Sequence, residues 1–398
     1  MTPIAYGIDF GTTNSVLSIA YQDRTQVMTQ LGMSLLRSVV YLDAAGTRTA
    51  GEQSLKQFMS NPDLRRARVI LDLKASLADE RFKRTHIFDH TYDLAELTSI
   101  VFRYLKLLGD RATGSDTRRA VIGFPVAFPD TLGDGYEERQ SLALDRLCDA
   151  ANLAGFDEVV PLEEPAAAAT GEDAELYATL DFGGGTFDVA VVRQGPDQDE
   201  VLALTGAPIG GEQLTGLLFD AVVAPELSLD HERLPARYRV AVSSLPKVLE
   251  AIFEADFSPQ VFREYAPVYQ QIRESGFLYD LYAAVEEAKI QLSADEYANV
   301  RLRRRGFEHL NIGVDRSAFE TVILDPILAT VSEIERALAD AGVDTSDIEL
   351  VTLTGGSSRI PLFRAAVRDC FPTARIEERD PYGRVAEGLG EQARSYVW

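Results

Sequence analysis

The sequence predicts an α/β protein built from a duplicated unit, with two lobes facing each other across a cleft. Three observations lead there. The hexapeptides DFGTTN and DFGGGT, starting at residues 9 and 181, each sit between two short apolar runs, in IAYGIDFGTTNSVLSIAY and LYATLDFGGGTFDVAVVR. The order strand–turn–strand, strand, helix, strand, helix runs once through each half, as in a diverged repeat of one α/β unit rather than a short-period solenoid. Finally, 398 residues are too many for one ordinary core, yet no long linker or low-complexity segment separates the halves.

Residues 4–21 read as strand, tight turn, strand: Ile8, Phe10, Val16, Ser18 and Ala20 alternate with their neighbours around Gly11-Thr12-Thr13-Asn14. Residues 38–53 read as a second hairpin bending at Ala45-Gly46. Leu94, Leu97, Ile100, Val101, Tyr104, Leu105 and Leu108 recur at helical spacing over 91–110. Residues 119–128 form a buried strand ending at Pro125, and a helix over 137–154 stops at Gly155. Residues 163–172 are expected to be helical, with Pro165 in the first turn. The second half restarts with a strand pair around DFGGGT, then a mostly helical region over about 212–293, a strand over 298–303, a helix over 316–342, a strand over 349–354 and a helix over 360–370.

Bulk properties exclude several classes. The net charge is −23, which repels phosphate backbones and anionic membranes, so neither nucleic acid nor membrane is expected as a partner. The densest basic run, Arg301, Arg303, Arg304 and Arg305, reads as a solvated strand or loop. Two cysteines, Cys148 and Cys370, each in an apolar helical stretch, point to reduced thiols rather than a disulfide framework. There is no basic-then-apolar leader, and no apolar run approaches the ~20 residues that span a bilayer. A soluble, cytoplasmic, monomeric protein is expected.

The two hairpins suit phosphate. A turn rich in Gly and Thr leaves backbone N–H groups uncovered and lets a ligand come close, and the hydroxyls of Thr12, Thr13 and Thr186 add donors. Asp9 and Asp181, at the strand ends, cannot favour phosphate themselves. They make sense beside a divalent cation, usually Mg²⁺ with retained waters. A plain hairpin turn would explain one copy; two copies in equivalent contexts point to a polyphosphate clamp. No G-x-x-x-x-G-K-[ST] or strand–GxGxxG–helix is present, nor the kinase motifs that accompany Asp-Phe-Gly elsewhere. A third element, LVTLTGGSSRIPLFRAAV over 350–367, runs a buried strand into Gly355-Gly356-Ser357-Ser358 and a helix opening near Arg359-Ile360-Pro361. It is either a simple strand-to-helix turn or a flat glycine surface for a base, with Arg359 stacking or pairing.

These three motifs, with VIGFPVAF, LEEPAAAAT and APIGGEQL in order, resemble the ATPase domain of the 70-kDa heat-shock (Hsp70) chaperones, within the superfamily of actin, sugar kinases and heat-shock ATPases. The resemblance covers nearly the whole chain. It implies the duplicated ribonuclease-H-like (actin-like ATPase) fold, with ATP or ADP, Mg²⁺ and a potassium ion in the cleft. It also implies lobe I over 1–171 plus 375–398, with an added subdomain near 37–104. Lobe II would span 172–374, with an enlarged, mostly helical subdomain over about 213–293.

Carried across by position, Asp9, Gly11, Thr12, Thr13 and Asn14 match the first phosphate loop, Asn14 standing in place of the usual aromatic. Asp181, Gly183, Gly184, Gly185 and Thr186 match the second, and Asp188 an acidic residue tied to metal or potassium. Lys74, in VILDLKASL, matches the lysine that reaches the γ-phosphate; its alternative is a surface helix lysine. Glu164 matches the glutamate that acts through metal-bound water, or else it is a helix N-terminal acid favoured by the dipole. Gly210, Gly211 and Glu212 fall in APIGGEQL. Glu286, Lys289, Ile290 and Ser293 share one face of the helix that covers adenosine, opposite Leu281, Ala284, Val285, Ala288 and Leu292. Glu286 and Lys289 then suit ribose hydroxyls, unless they are an ordinary i,i+3 ion pair. Gly355, Gly356, Ser357, Arg359 and Ile360 match the base-binding turn.

Four departures stand out: Ile290 replaces an arginine that stacks on adenine, Tyr382 an aspartate, Gln213 an acid and Arg37 a proline. The phosphate end is better kept than the base end. A lost cation–π contact costs about 1–2 kcal/mol, roughly tenfold in affinity, which implies looser base selectivity. The chain ends at Trp398, where the ATPase domain would end, so it resembles truncated heat-shock-like proteins without a peptide-binding domain. The aromatics Phe253, Phe257, Phe262, Tyr265, Tyr269, Phe277 and Tyr279 are either the core of an enlarged subdomain or a partner-binding face. The expected function is a slow, ATP-hydrolysing nucleotide switch, chaperone-related, read by an unknown protein partner or client. A non-catalytic nucleotide-dependent interaction protein, a superfamily small-molecule kinase and an actin-like filament former are the alternatives.

Overall fold

A computed structural model of the chain describes residues 2–31, 35–54, 58, 66–71, 73–128, 136–168, 173–195, 199–223, 225, 277–301, 311–379 and 383–396. It opens with strands β1 (Ala5–Phe10), β2 (Asn14–Ala20), β3 (Thr25–Val27) and β4 (Leu36–Arg37). Strands β5 (Val40–Asp43), β6 (Arg48–Ala50) and β7 (Ala67–Ile70) make a small antiparallel sheet. Helix α1 (Leu73–Ser76), the hairpin β8 (Thr85–Ile87) and β9 (His90–Tyr92), and helix α2 (Leu94–Thr113) follow. Then come β10 (Arg119–Phe124), α3 (Tyr136–Ala154), β11 (Glu158–Glu163) and α4 (Glu164–Ala168). The second half carries β12 (Leu176–Phe182), β13 (Phe187–Arg193), β14 (Glu200–Ala207), α5 (Gly211–Leu218), α6 (Phe277–Leu292), β15 (Tyr297–Arg301) and β16 (Asn311–Asp315). It closes with α7 (Arg316–Val322), α8 (Leu324–Ala341), β17 (Leu350–Thr354), α9 (Pro361–Cys370), β18 (Arg375–Glu378) and α10 (Arg384–Ser395).

The duplication is explicit in the sheets. One runs β3-β2-β1-β10-β11 and the other β14-β13-β12-β17-β18. In both, the central hairpin is antiparallel, a third strand extends it antiparallel on one side, and two parallel strands extend it on the other. Each Asp-Phe-Gly therefore occupies the same place in its sheet. Successive strand residues point to opposite faces, so the Phe can be buried while the Asp beside it faces the other way. Phe10 is fully buried edge-on to Phe102 of α2, with ring centroids 5.1 Å apart. Phe182 packs on Phe187 and on Phe363 of α9, at 5.4 and 4.9 Å. These ring contacts fasten each turn to its own core. Helix α10 returns to the first sheet, where Ala167, Val385, Leu389 and Ala393 share a core with Ala5 and Val121.

The local expectations hold for the strand–turn–strand pairs, for the hairpin at Ala45-Gly46, for a helix over 91–110 and for the helix that stops at Gly155, with several differences. The expected helix over 163–172 is preceded by β11 and spans Glu164–Ala168 within the described residues. Pro161 does not prevent that strand, because β11 is an edge and Pro161 pairs with Ile122 from the outside. The expected single helix over 316–342 is two, because Pro326 has no N–H for the carbonyl of Val322, where α7 ends. Strands β3, β4, β7, β8, β9, β11, β14, β16 and β18 were not among the expected elements. Of the long helical region, 224 and 226–276 lie outside the described residues, with Phe253, Phe257, Phe262, Tyr265 and Tyr269, as do Arg303 to Arg305, Tyr382 and Trp398. Both cysteines are free and half-buried.

Candidate functional site

The tips of the two hairpins meet. A methyl group on Gly184 would strike Thr13 Oγ1, and one on Gly185 would strike Thr12 Oγ1. Only glycine backbone in one turn allows the hydroxyl-bearing turn of the other to come this close. Each turn is braced from behind. Ser38 Oγ donates to the Gly11 carbonyl at 2.7 Å, and the Ser38 N–H donates to the Thr13 carbonyl at 2.9 Å. The Gly183 carbonyl accepts from Ser357 Oγ at 2.9 Å and from the Gly211 N–H at 3.0 Å, while the Glu212 N–H reaches the Gly184 carbonyl at 2.8 Å. The start of α5 thus supports the second turn. Thr13 Oγ1 donates to Glu212 Oε1, joining the two halves.

Below the tips lies a cleft of about 660 Å³, within the range of small-molecule sites. Its wall includes Asp9, Gly11, Thr12, Thr13, Asn14, Lys74, Glu164, Asp181, Gly183, Gly184, Gly185 and Thr186. It continues through Gly211, Glu212, Glu286, Lys289, Ile290, Ser293, Gly355, Gly356, Ser357, Arg359 and Ile360. Two expected residues are not on the wall. Gly210 packs its Cα against the Gly184 backbone, and Asp188 is buried behind the second turn, accepting from the Val126 N–H at 3.1 Å.

The floor is acidic with one cation. Lys74 is 4% exposed, not a surface lysine, and its Nζ donates to Glu164 Oε1 at 2.6 Å. Burial pulls its pKa down, but the charges of Glu164 and Asp9 outweigh that and hold the ammonium above the usual lysine range. The carboxyls of Asp9 and Asp181 are pushed up by burial and then by the charge of Glu164. Asp188 is pushed up to about 7 for the same two reasons, and its Oδ2 is buried with no hydrogen-bond partner. Four carboxylates against one ammonium is an excess of buried negative charge that a divalent cation would offset. No three His, Cys, Asp or Glu side chains among the described residues are grouped to hold an ion by themselves.

Gly355 turns the third element. Its φ of +80° is left-handed, and a Cβ there would collide with the Phe182 carbonyl and Asp181 Oδ1. Above it, the alternative reading of Glu286 and Lys289 as an i,i+3 ion pair gives way to other contacts. Lys289 Nζ donates to the Gly211 carbonyl at 2.8 Å, and Glu286 pairs with Arg37 Nη2 at 3.1 Å from the opposite wall. Ile290 is 57% exposed, whereas Leu281, Val285, Ala288 and Leu292 are buried, as the face assignment requires. Arg359 pairs with Glu378 at 2.7 Å, and Arg364 with the other oxygen of Glu378 at 3.3 Å.

This arrangement has an identifiable parentage. The family model for the Hsp70 protein matches residues 5–233 and 265–394. The chain belongs to the Hsp70 family. Its paired sheets are the two-lobed, actin-like ATPase fold of that family, and the cleft lies between the lobes. Hsp70 proteins bind ATP or ADP with Mg²⁺ and act as chaperones on client proteins, so membership supports a nucleotide-binding, chaperone-like function for this one. No helix among the described residues is long and apolar enough to cross a membrane. Several wall residues of this Hsp70 were not expected as site residues: Arg37, Arg364, Glu378 and Arg384. The one signal for Arg37 was a lone cation inside the apolar LLRSVV. The others come from separate elements and leave no local mark.

Proposed function

We propose that this Hsp70 is an ATP-binding nucleotide switch that hydrolyses ATP slowly, with the polyphosphate under the two hairpins and the base against Gly355, Gly356, Arg359, Ile360 and Ile290. The observation that carries the reading is the convergence of two equivalently placed turns over Asp9, Asp181 and the buried Lys74–Glu164 pair. Backbone and hydroxyl donors of Gly11, Thr12, Thr13, Gly183, Gly184, Gly185 and Thr186 grip phosphate oxygens. Asp9, Asp181 and Glu164 hold Mg²⁺ through water, with Asp188 behind them and available to a potassium ion. When bound, the metal neutralises charge at the β- and γ-phosphates. Lys74 and Thr186 stabilise charge on the γ-phosphate, and Asp181 orients the attacking water and takes its proton. Glu286, Lys289 and Ser293 meet the ribose. In the same reading the protein is a monomer of the cytoplasm and its nucleotide state is read by a protein partner, its net charge of −23 disfavouring nucleic acid.

The test is single-turnover phosphate release. Wild-type protein is expected to release phosphate from ATP slowly. Asp181→Asn is expected to lower the rate by 10²-fold or more while keeping ATP affinity within several-fold. ATP binding with no product in either protein selects the binding-only alternative.

A further inference from the structure

We propose that Arg37 is a positioning residue that sets this protein's preference for nucleotides carrying ribose hydroxyls, by holding Glu286 across the cleft. The inference rests on the nucleotide reading above and goes further by naming a residue which that reading does not require.

The geometry begins in the sheet. Strand β4 is two residues long and pairs with β2 so that Arg37 lies opposite Asn14, in the first phosphate turn. A small side chain at position 14 and a long cation beside it place a guanidinium where the first lobe's wall meets the nucleoside end of the cleft. From there Arg37 Nη2 reaches Glu286 Oε2 on α6, in the other lobe, at 3.1 Å. Both side chains are largely shielded, 19% and 17% exposed, and both line the cleft. The shielding sets this pair apart from the surface ion pairs elsewhere, such as Arg118 with Asp157, whose side chains are more than half exposed.

Glu286 needs such a partner. On its own helix, the cation one turn on is Lys289, and Lys289 Nζ is engaged with the Gly211 carbonyl. A carboxylate on a helix facing an open cleft has several rotamers, and fixing one of them on binding costs affinity. A planar guanidinium from the opposite wall selects one rotamer before the ligand arrives. A pre-set carboxylate discriminates sharply, since Arg37 holds Oε2 and a ligand lacking the hydroxyls offers no donor to the shielded Oε1. Because the pair spans the cleft, the same contact also ties ribose recognition to the spacing of its two walls.

The test compares Mg²⁺-ATP with Mg²⁺-2′,3′-dideoxy-ATP by calorimetry, using the full chain as wild type, Arg37→Ala, Arg37→Lys, Glu286→Ala and the Arg37→Ala/Glu286→Ala double variant. Wild type is expected to prefer ATP by tenfold or more. Arg37→Ala is expected to lose most of that preference while its affinity for the dideoxy nucleotide changes less than threefold. Arg37→Lys is expected to recover part of the preference, and the double variant to be no less selective than Glu286→Ala alone. A purely structural arginine would weaken both ligands equally and leave the ratio intact. That result, or a wild-type ratio retained in Arg37→Ala, overturns the inference and leaves the nucleotide reading standing. Failure of the wild-type chain to bind either nucleotide overturns both.

Discussion

Lys74 and Glu164 are a buried pair, 4% and 6% exposed at the side chain, and what such a pair contributes shows when one member is removed. Lys74→Met leaves the buried Glu164 carboxyl without its partner in an already acidic site, which is expected to cost about 3–5 kcal/mol of stability. Lys74→Met with Glu164→Gln removes both charges and is expected to recover a large part of that loss. Urea unfolding of the two variants checks this, and a double variant no more stable than the single contradicts it. The neighbouring aspartates predict a pH dependence. Asp188 titrates near 7 when folded, against an ordinary value of 3.8, and Asp9 and Asp181 move the same way. The folded, metal-free protein therefore holds more protons than the unfolded chain between about pH 4 and 7, so stability is present at low pH and lost as pH rises through that window. In chelator, the thermal midpoint is expected to fall from pH 5 to pH 8, and to fall less in Asp188→Asn. Equal slopes in the two proteins would refute the assignment.

At the scale of elements, the turns matter more than the helices. Gly355, Gly342 and Gly114 are all left-handed, but only Gly355 has neighbours where a Cβ would go. Gly342→Ala, at the end of α8, is therefore expected to cost about 1 kcal/mol of stability with turnover unchanged. Gly355→Ala is expected to cost more and also to lower turnover at least tenfold, because the new methyl group displaces Asp181. Melting curves beside phosphate-release rates separate the two effects; an unimpaired Gly355→Ala would show that this close approach is dispensable. Much at this scale was legible in the sequence. Both Asp-Phe-Gly hairpins, α2, α3, α9 and the buried face of α6 followed from periodicity and punctuation. Strand β14 did not, because the residues EVLALTGA suit a helix as well as a strand. Strand β16, with Asn311, Gly313 and Asp315 in five residues, reads locally as a loop and is a strand only because β15 pairs with it.

For the whole molecule, two copies of one sheet place two copies of one turn face to face, and the copies differ in what they offer a ligand. The first turn brings hydroxyls and the second bare backbone with Thr186. The proposed phosphate end was legible because its residues are contiguous in DFGTTN and DFGGGT. The proposed nucleoside end was only partly so, because Arg37 and Glu286, or Arg359, Arg364 and Glu378, meet only after folding. Among the described residues Arg37–Glu286 and Thr13–Glu212 link the two walls of the cleft, and in the proposed switch they would couple lobe closure to what lies between them. The measurement that bears most directly on the nucleotide switch is calorimetric titration of the chain with ATP and with ADP, with and without Mg²⁺. One site per chain is expected, with ATP binding strengthened at least tenfold by Mg²⁺ and that gain lost in Asp9→Asn. Absence of nucleotide binding, or binding indifferent to both the metal and Asp9, would contradict the assignment of this cleft.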